Sequence, residues 1–440
     1  MYIQRNIDKE LVTWGNPASR KPLLIRGARQ VGKSSSVREY AKKFDFFIEI
    51  NFEIDETIRS LFEQENSIKD LCSSISILKN IAIIPGKTLL FLDEIQMCPK
   101  AITKLRYFYE QYPELHVIAA GSLLEFALQD LPSFGVGRIR SLFVYPLSFN
   151  EFLSAIGENL LLDAKINATI LKPLANPLHE KLIDYLKKFM LIGGMPEVVA
   201  DYAQNKDLLK CKTILYDLMN SLQADFGKYS RKVPSLRIRE VFESVVQQMG
   251  GKFKYSKAAI ESNNRQVKEA LQLLILAGLV IPVTHSSANG IPLGAESNPQ
   301  KQKMLLLDTG IFQLLNNLDL TDLIISKELN VVNKGNIAEL FVGLELLKST
   351  SPLIPLSLFY WEREKIGANA EVDYLLQKNA EIIPLEVKSG TSGSMQSIHQ
   401  FIKEKNSRIG IRASLENFNQ FDQIKVIPLY SVSEIHEIEL

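Results

Sequence analysis

Gly27-Ala28-Arg29-Gln30-Val31-Gly32-Lys33-Ser34 has the spacing GxxxxGK[ST], which suits a polyphosphate. Gly27 and Gly32 permit backbone conformations closed to residues with side chains, so successive amides can turn toward phosphate oxygens. A helix starting at the end of the loop adds favourable partial charge for an anion. Lys33 would reach the β- and γ-phosphates, and the Ser34 hydroxyl would ligate magnesium. The ligand implied is ATP with Mg2+. A second acidic signal follows at a suitable distance: Thr88-Leu89-Leu90-Phe91-Leu92-Asp93-Glu94, an apolar run ending in two carboxylates. Asp93 would hold the magnesium, mostly through water, and Glu94 would orient and polarise the attacking water.

These groups need elements to position them. Pro22–Arg26 is a short apolar run suited to a buried parallel strand, and Ser35–Lys43 reads as a helix with Val37, Tyr40 and Ala41 on one face. Strand, glycine loop and helix form the context that the motif requires. Leu115–Ala120 is a further strand, closed by Gly121-Ser122. From Leu178 to Asp225 the pattern is helical, broken by Gly193-Gly194-Met195-Pro196, where one helix would end and the next begin.

The whole chain sets bounds on the reading. Its 440 residues exceed one compact core, so several domains are expected, and 46% apolar with 23% charged residues is ordinary globular composition. A net charge of +1 advertises no global basic field, so any nucleic-acid surface must be local. Cys72, Cys98 and Cys211 are scattered and odd in number, which argues against a disulfide framework or zinc site and for a reducing compartment. The first residues lack the apolar run of a signal peptide, and no uncharged stretch approaches the roughly 20 residues that span a bilayer. A soluble, cytoplasmic protein with no membrane partner is expected.

Residues 234–307 read as a winged helix-turn-helix: helices at Val241–Met249, Ser256–Glu261 and Gln266–Ala277, wing strands at Gly278–Val283 and Lys303–Leu307, and a polar wing tip at His285–Gln302. From Arg237 to Glu269 seven Lys/Arg (237, 239, 252, 254, 257, 265, 268) stand against four Glu (240, 243, 261, 269). Arg265 and Lys268 flank the start of the third helix, where such motifs contact DNA. Packing against protein, with the charges merely solvated, is the other reading.

In the last quarter, Gly335–Leu347 reads as an amphipathic helix containing Glu339. Strands follow at Ser357–Trp361, Glu371–Leu376 and Glu381–Lys388, then a helix near Met395–Glu404 and strands near Arg408–Ala413 and Lys425–Leu429. This order resembles the PD-(D/E)xK nuclease core, with Asp373 and Glu386-x-Lys388 as its signature. The strand period of two puts Glu386 and Lys388 on one face, beside Asp373 from the neighbouring strand. The resemblance implies that Asp373 and Glu386 hold magnesium against a scissile phosphate. Lys388 would stabilise charge and help produce hydroxide, and Glu339 would support the metal. A nuclease-derived fold that only binds nucleic acid or protein is the alternative.

Taken in order, Arg26–Lys33, Leu92–Gln96, Ala120-Gly121-Ser122, Gly137-Arg138 and Tyr145–Phe152 resemble a bacterial and archaeal family of AAA-type ATPases with a C-terminal domain of restriction-endonuclease type. Gly193–Glu197, Leu306–Gly310 and Gly335–Glu339 agree with it, and Ser34 stands where the family more often has threonine. By this resemblance Ser122 occupies the position of a sensor touching the γ-phosphate or lytic water; a helix N-cap for Leu123–Leu128 is the competing role. Arg138 would be an arginine finger completing a neighbouring subunit's site, which implies a homo-oligomer; a surface arginine, or a phosphate contact within its own subunit, is the other reading.

The expected architecture is therefore α/β: an AAA-type P-loop NTPase core over 1–165, a helical lid over 166–232, a winged helix over 233–310, a linker helix over 311–334 and a nuclease-like domain over 335–440. The expected function is an ATPase coupled to DNA binding or processing. The alternative is a regulatory or signalling ATPase whose C-terminal domains make protein contacts without cleaving nucleic acid.

Overall fold

The computed structural model describes residues 2–16, 20–130, 137–229, 233–258, 264–316, 336–364, 370–378, 380–391 and 393–436. The chain divides into two compact units. One contains residues 1–145 with the short segments 276–278 and 351–355; the other contains 146–275, 279–350 and 356–440. Among the described residues no helix is long and apolar enough to cross a membrane.

The first unit is built on a five-stranded sheet. Strands β1 (Leu23–Arg26), β2 (Phe46–Asn51), β3 (Thr88–Asp93), β4 (His116–Ala120) and β5 (Arg140–Phe143) lie in the order β2-β3-β4-β1-β5. Every neighbour pair is parallel. β3 and β4 are buried along their whole length, as expected of strands covered on both faces. Leu24, Ile48, Ile50, Leu90, Leu92 and Val117 join one core with Phe52, Phe62 and Phe108 from the flanking segments. Because β4 separates β1 from β3, the loop after β4 comes down between the glycine loop and the acidic strand end.

The second unit carries helices Asn176–Ile192, Pro196–Asn205 and Leu208–Ala224. The expected glycine break is where the first of these stops: Gly193 takes φ 73, and a Cβ there would lie 2.0 Å from Asp308 Oδ1. Asp308 accepts the Gly194 amide at 2.7 Å and caps its own following helix, Thr309–Leu315, through the Ile311 amide at 3.1 Å. Helices Ser235–Gln247 and Asn264–Leu276 flank a 3-10 turn at Tyr255–Lys257; residues 259–261 of the expected middle helix lie outside the described residues. So do residues 317–334 of the expected linker helix, whose first part is the helix Thr309–Leu315.

Strands β6 (Val280–Ser286) and β7 (Ser297–Leu306) are longer than the wing strands expected from sequence, because the polar stretch 285–302 itself pairs, His285 opposite Asn298. The hairpin is also not free-standing. β6 pairs in parallel with β8 (Leu358–Glu362), which pairs antiparallel with β9 (Glu371–Val372), giving the sheet β7-β6-β8-β9. His285 is consequently buried within the sheet, paired on both sides, rather than placed at a solvated tip.

β10 (Tyr374–Lys378), β11 (Glu381–Val387), β12 (Gly410–Ser414), β13 (Asn419–Phe421) and β14 (Ile424–Pro428) form the last sheet, ordered β10-β11-β12-β14-β13. The single strand expected over 371–376 is thus two, with Asp373 at the bend between sheets. The helix expected to be amphipathic is Asn336–Lys348, and Ile337 through Leu347 are all buried, Glu339 and Glu345 included. Its polar residues satisfy the sequence pattern of a solvated face but are met by partners inside the unit: Lys303 for Glu339, Lys348 and the Phe149 amide for Glu345.

Candidate functional site

In the first unit the glycine loop follows β1 and delivers Lys33 and Ser34 to the start of the helix Lys33–Ala41. Gly27 sits at φ 145, Gln30 at φ 62 and Gly32 at φ 95. Only glycine fits at position 27, since a Cβ there would meet the Val144 carbonyl oxygen at 2.1 Å. Ala28, Arg29 and Val31 complete the turn, and Val31 is buried.

The Lys33 ammonium donates to the carbonyls of Gly27 at 2.9 Å and Ala28 at 2.6 Å. Burial pulls its pKa down to about 8, against the opposing pull of the Glu94 and Asp93 charges. Ser34 Oγ donates to Asp93 Oδ2 at 2.9 Å, so the two groups expected at magnesium, 59 positions apart in sequence, meet. Burial raises the Asp93 carboxyl above its ordinary value, partly countered by that hydrogen bond.

Glu94 turns into the left-handed region (φ 48, ψ 44) as β3 ends, which swings its side chain toward the loop after β4. Its Oε2 accepts from Gln96 Nε2 at 2.5 Å and from Ser122, through the amide at 3.2 Å and the hydroxyl at 3.0 Å. Burial works against the Glu94 charge, but these donors outweigh it and hold the carboxyl below its usual range. Gly121 makes room for this arrangement: a Cβ there would lie 2.0 Å from Gln96 Oε1. Sequence reasoning gave Gln96 no role; its position two residues after the acidic pair is the one available signal.

A second residue missed from sequence is Arg5. Its guanidinium is buried and donates to the carbonyls of Val31 at 2.9 Å and Tyr145 at 2.7 Å, tying the N-terminal segment to the glycine loop and to the end of the sheet. Arg5→Ala is expected to weaken ATP binding by about tenfold, or about 1.4 kcal/mol, with turnover at saturation little changed, because it loosens the loop without touching the acidic groups. Titration with a fluorescent ATP analogue alongside steady-state kinetics separates the two effects. Arg138 Nε pairs with Glu110 Oε1 at 2.5 Å, and Glu110 also takes Arg106 at 3.1 Å, so within its own unit Arg138 is engaged with helix Pro99–Gln111.

In the second unit, antiparallel pairing sets Tyr374 opposite Leu385, which brings the preceding Asp373 beside the end of β11. Asp373 Oδ2 accepts the Val387 amide at 2.8 Å. Lys388 Nζ donates to Glu386 Oε1 at 2.5 Å, while Glu386 Oε2 is buried with no hydrogen-bond partner. Glu339 Oε1 and Asp373 Oδ1 lie 2.9 and 3.7 Å from the ammonium of Lys303, a residue of β7. Burial raises the carboxyls of Glu339, Asp373 and Glu386 above their ordinary values. Glu339, Asp373, Glu386 and Lys388 therefore gather as expected of neighbours, but with a second lysine among them. As arranged they do not fit a divalent cation: among the described residues no three His, Cys, Asp or Glu side chains are set to hold a metal.

Residues 19–153 match a family model described as an AAA domain. Residues 183–322 and 334–432 match two models described as domains of unknown function, DUF8612 and DUF4143. Comparison with curated proteins found no match. Among solved structures, the chain is similar to the Walker-type ATPase PABY2304 of Pyrococcus abyssi, with 15% identity, 72% of this chain and 96% of that chain covered, and a TM-score of 0.45. It is also similar to the S. cerevisiae Hsp104–ADP complex (14% identity, 62% and 38% covered, TM-score 0.27) and to C. elegans PCH-2 (13%, 61% and 65%, 0.23). The match over 19–153 and the geometry of the glycine loop together make the first unit an AAA-type domain with an ATP-binding P-loop.

Proposed function

We propose that this AAA-type unit hydrolyses ATP with Mg2+ at Lys33, Ser34, Asp93 and Glu94, and that the rest of the chain couples the cycle to DNA binding or processing. The observation that carries the first part is the meeting of Ser34 and Asp93 at 2.9 Å beside the Lys33 ammonium. Two hard oxygen donors in contact fit Mg2+, which when bound neutralises phosphate charge. Gly27 to Ser34 would wrap the phosphates, and Lys33 would leave its two carbonyls for the β- and γ-oxygens. Glu94, kept ionised by its donors, would orient the lytic water; Ser122 would act through Glu94 as its sensor. Phosphate release that requires Mg2+ and disappears in Lys33→Ala tests this; release that survives the substitution overturns it.

For the second unit, with the winged helix taken as 233–310 and the nuclease-like part as 335–440, support comes from the β10–β11 hairpin followed by the parallel β11-β12-β14 order. The gathering of Glu339, Asp373, Glu386 and Lys388 fits a fold of that type, but the Lys303 ammonium stands among the carboxylates where a metal would be held. A specific observation favours the alternative, a regulatory ATPase making protein contacts. Three of the seven basic residues counted for DNA are paired with glutamates of the same chain: Arg237 with Glu240, Lys252 with Glu362, and Arg265 with Glu269. Incubation with several DNA forms, comparing the intact protein with Asp373→Ala, separates the two. Cleavage lost in the variant supports processing, and identical behaviour removes it.

A further inference from the structure

The Lys303 side chain is almost fully enclosed, 2% exposed, at the point where four elements of the second unit converge. Its Nζ lies 2.9 Å from Glu339 Oε1 on the helix Asn336–Lys348, 2.5 Å from Glu371 Oε1 on β9, and 3.7 Å from Asp373 Oδ1 at the bend before β10. The Tyr360 ring of β8 closes a further side, its centroid 5.3 Å from the ammonium. A buried ammonium is tolerated only where its charge is met, and here three carboxylates and an aromatic face meet it. Burial works against the charge, and the carboxylates more than overcome it, so the lysine stays protonated throughout the physiological range.

Three acidic groups converging on one point resemble the donor set of a divalent ion, but the point is taken. Mg2+ requires near-octahedral oxygen ligands at about 2.0–2.1 Å, and it would have to share these carboxylates with an ammonium held in contact with them. Lys388 engages Glu386 Oε1 at 2.5 Å, which leaves Glu386 Oε2 as the open buried oxygen, too few ligands by itself. We propose that Lys303 is the resident cation of this carboxylate cluster. It is a positioning residue from β7 that holds Glu339, Glu371 and Asp373 together and keeps divalent metal out. The inference stands on these contacts and not on whether any strand of DNA is cut.

The test is a Mn2+ titration of the full-length, chelator-treated, nucleotide-free protein, read by the paramagnetic resonance signal of free Mn2+. Wild type and Asp373→Asn should give the same isotherm, because Asp373 contributes to no metal site while Lys303 is present. Lys303→Met should gain one site at least roughly tenfold tighter than any in wild type, since removing the ammonium frees carboxylate charge for the ion. The gain should vanish in Lys303→Met/Asp373→Asn. Stoichiometric, Asp373-dependent Mn2+ binding in wild type overturns the proposal, as does a folded Lys303→Met with no tighter site. Should Lys303→Met fail to fold, the comparison of wild type with Asp373→Asn decides alone. A protein that cuts no DNA yet shows the predicted isotherms refutes the nuclease reading and leaves this one standing.

Discussion

Glu94→Gln should lower ATP turnover by about 10²–10⁴-fold while changing ATP affinity by no more than a few-fold, the scale of losing a positioned general base. Glutamine keeps the shape and the possibility of hydrogen bonds to Ser122 and Gln96, but it cannot polarise a water as a carboxylate does. In the wild-type unit the three donors on Oε2 hold Glu94 in its ionised form, and the left-handed backbone at this residue fixes its direction. The phosphate-holding groups, Lys33 and the loop before it, are untouched by the change. Filter retention of labelled ATP beside a phosphate-release assay reads both quantities. Turnover within tenfold of wild type would remove Glu94 from the chemistry.

The largest expected stability effect lies in the second unit. Lys348 Nζ, 6% exposed, meets Glu345 Oε1 at 3.3 Å and the Leu147 carbonyl at 2.9 Å, while the other Glu345 oxygen accepts the Phe149 amide at 3.1 Å. Lys348→Met strands the Glu345 charge in the interior and should cost about 3–5 kcal/mol, the range for breaking a buried pair from one side. Burial already raises the Glu345 carboxyl above its ordinary value, and loss of the lysine raises it further. A carboxyl raised in the folded state binds more protons there than in the unfolded chain. The penalty is therefore absent below the ordinary glutamate range and grows as pH rises toward the raised folded value. Urea midpoints of wild type and variant should diverge from acid to neutral pH. A constant gap across that range would show that Glu345 is not the group left uncompensated, and Glu345→Leu/Lys348→Met should recover most of the loss.

What could be read in the sequence follows the range of the interactions involved. The phosphate loop is eight consecutive residues, and the acidic pair ends an apolar run, so both sites announce themselves locally. That Ser34 would touch Asp93 needs only that β1 and β3 share a sheet. Arg5 carries no such signal: its partners are 26 and 140 positions away, and nothing in the residues around it distinguishes it from a surface arginine. The helix Asn336–Lys348 fails for a different reason. Glu339 and Glu345 look like a solvated stripe until the partners that neutralise them, Lys303 and Lys348, are placed in space. Lys303 itself reads as one residue of a strand, because its three acidic neighbours arrive from 36 to 70 positions downstream. Asp373 is legible as chemistry but not as geometry; alternation runs unbroken through a residue where the backbone changes sheets.

The seat of β1 between β4 and β5 has a consequence for how the polypeptide is made. As it leaves the ribosome, segment 23–26 has no partner strand until residues 116–120 have followed it, and the second flank waits for 140–143. The nucleotide pocket therefore cannot mature in the order of translation, and β2 with β3 can pair first. Stalled nascent chains that expose residues up to β3 alone should not retain ATP, whereas those long enough to expose β5 and the later segments 276–278 and 351–355 of the same unit should.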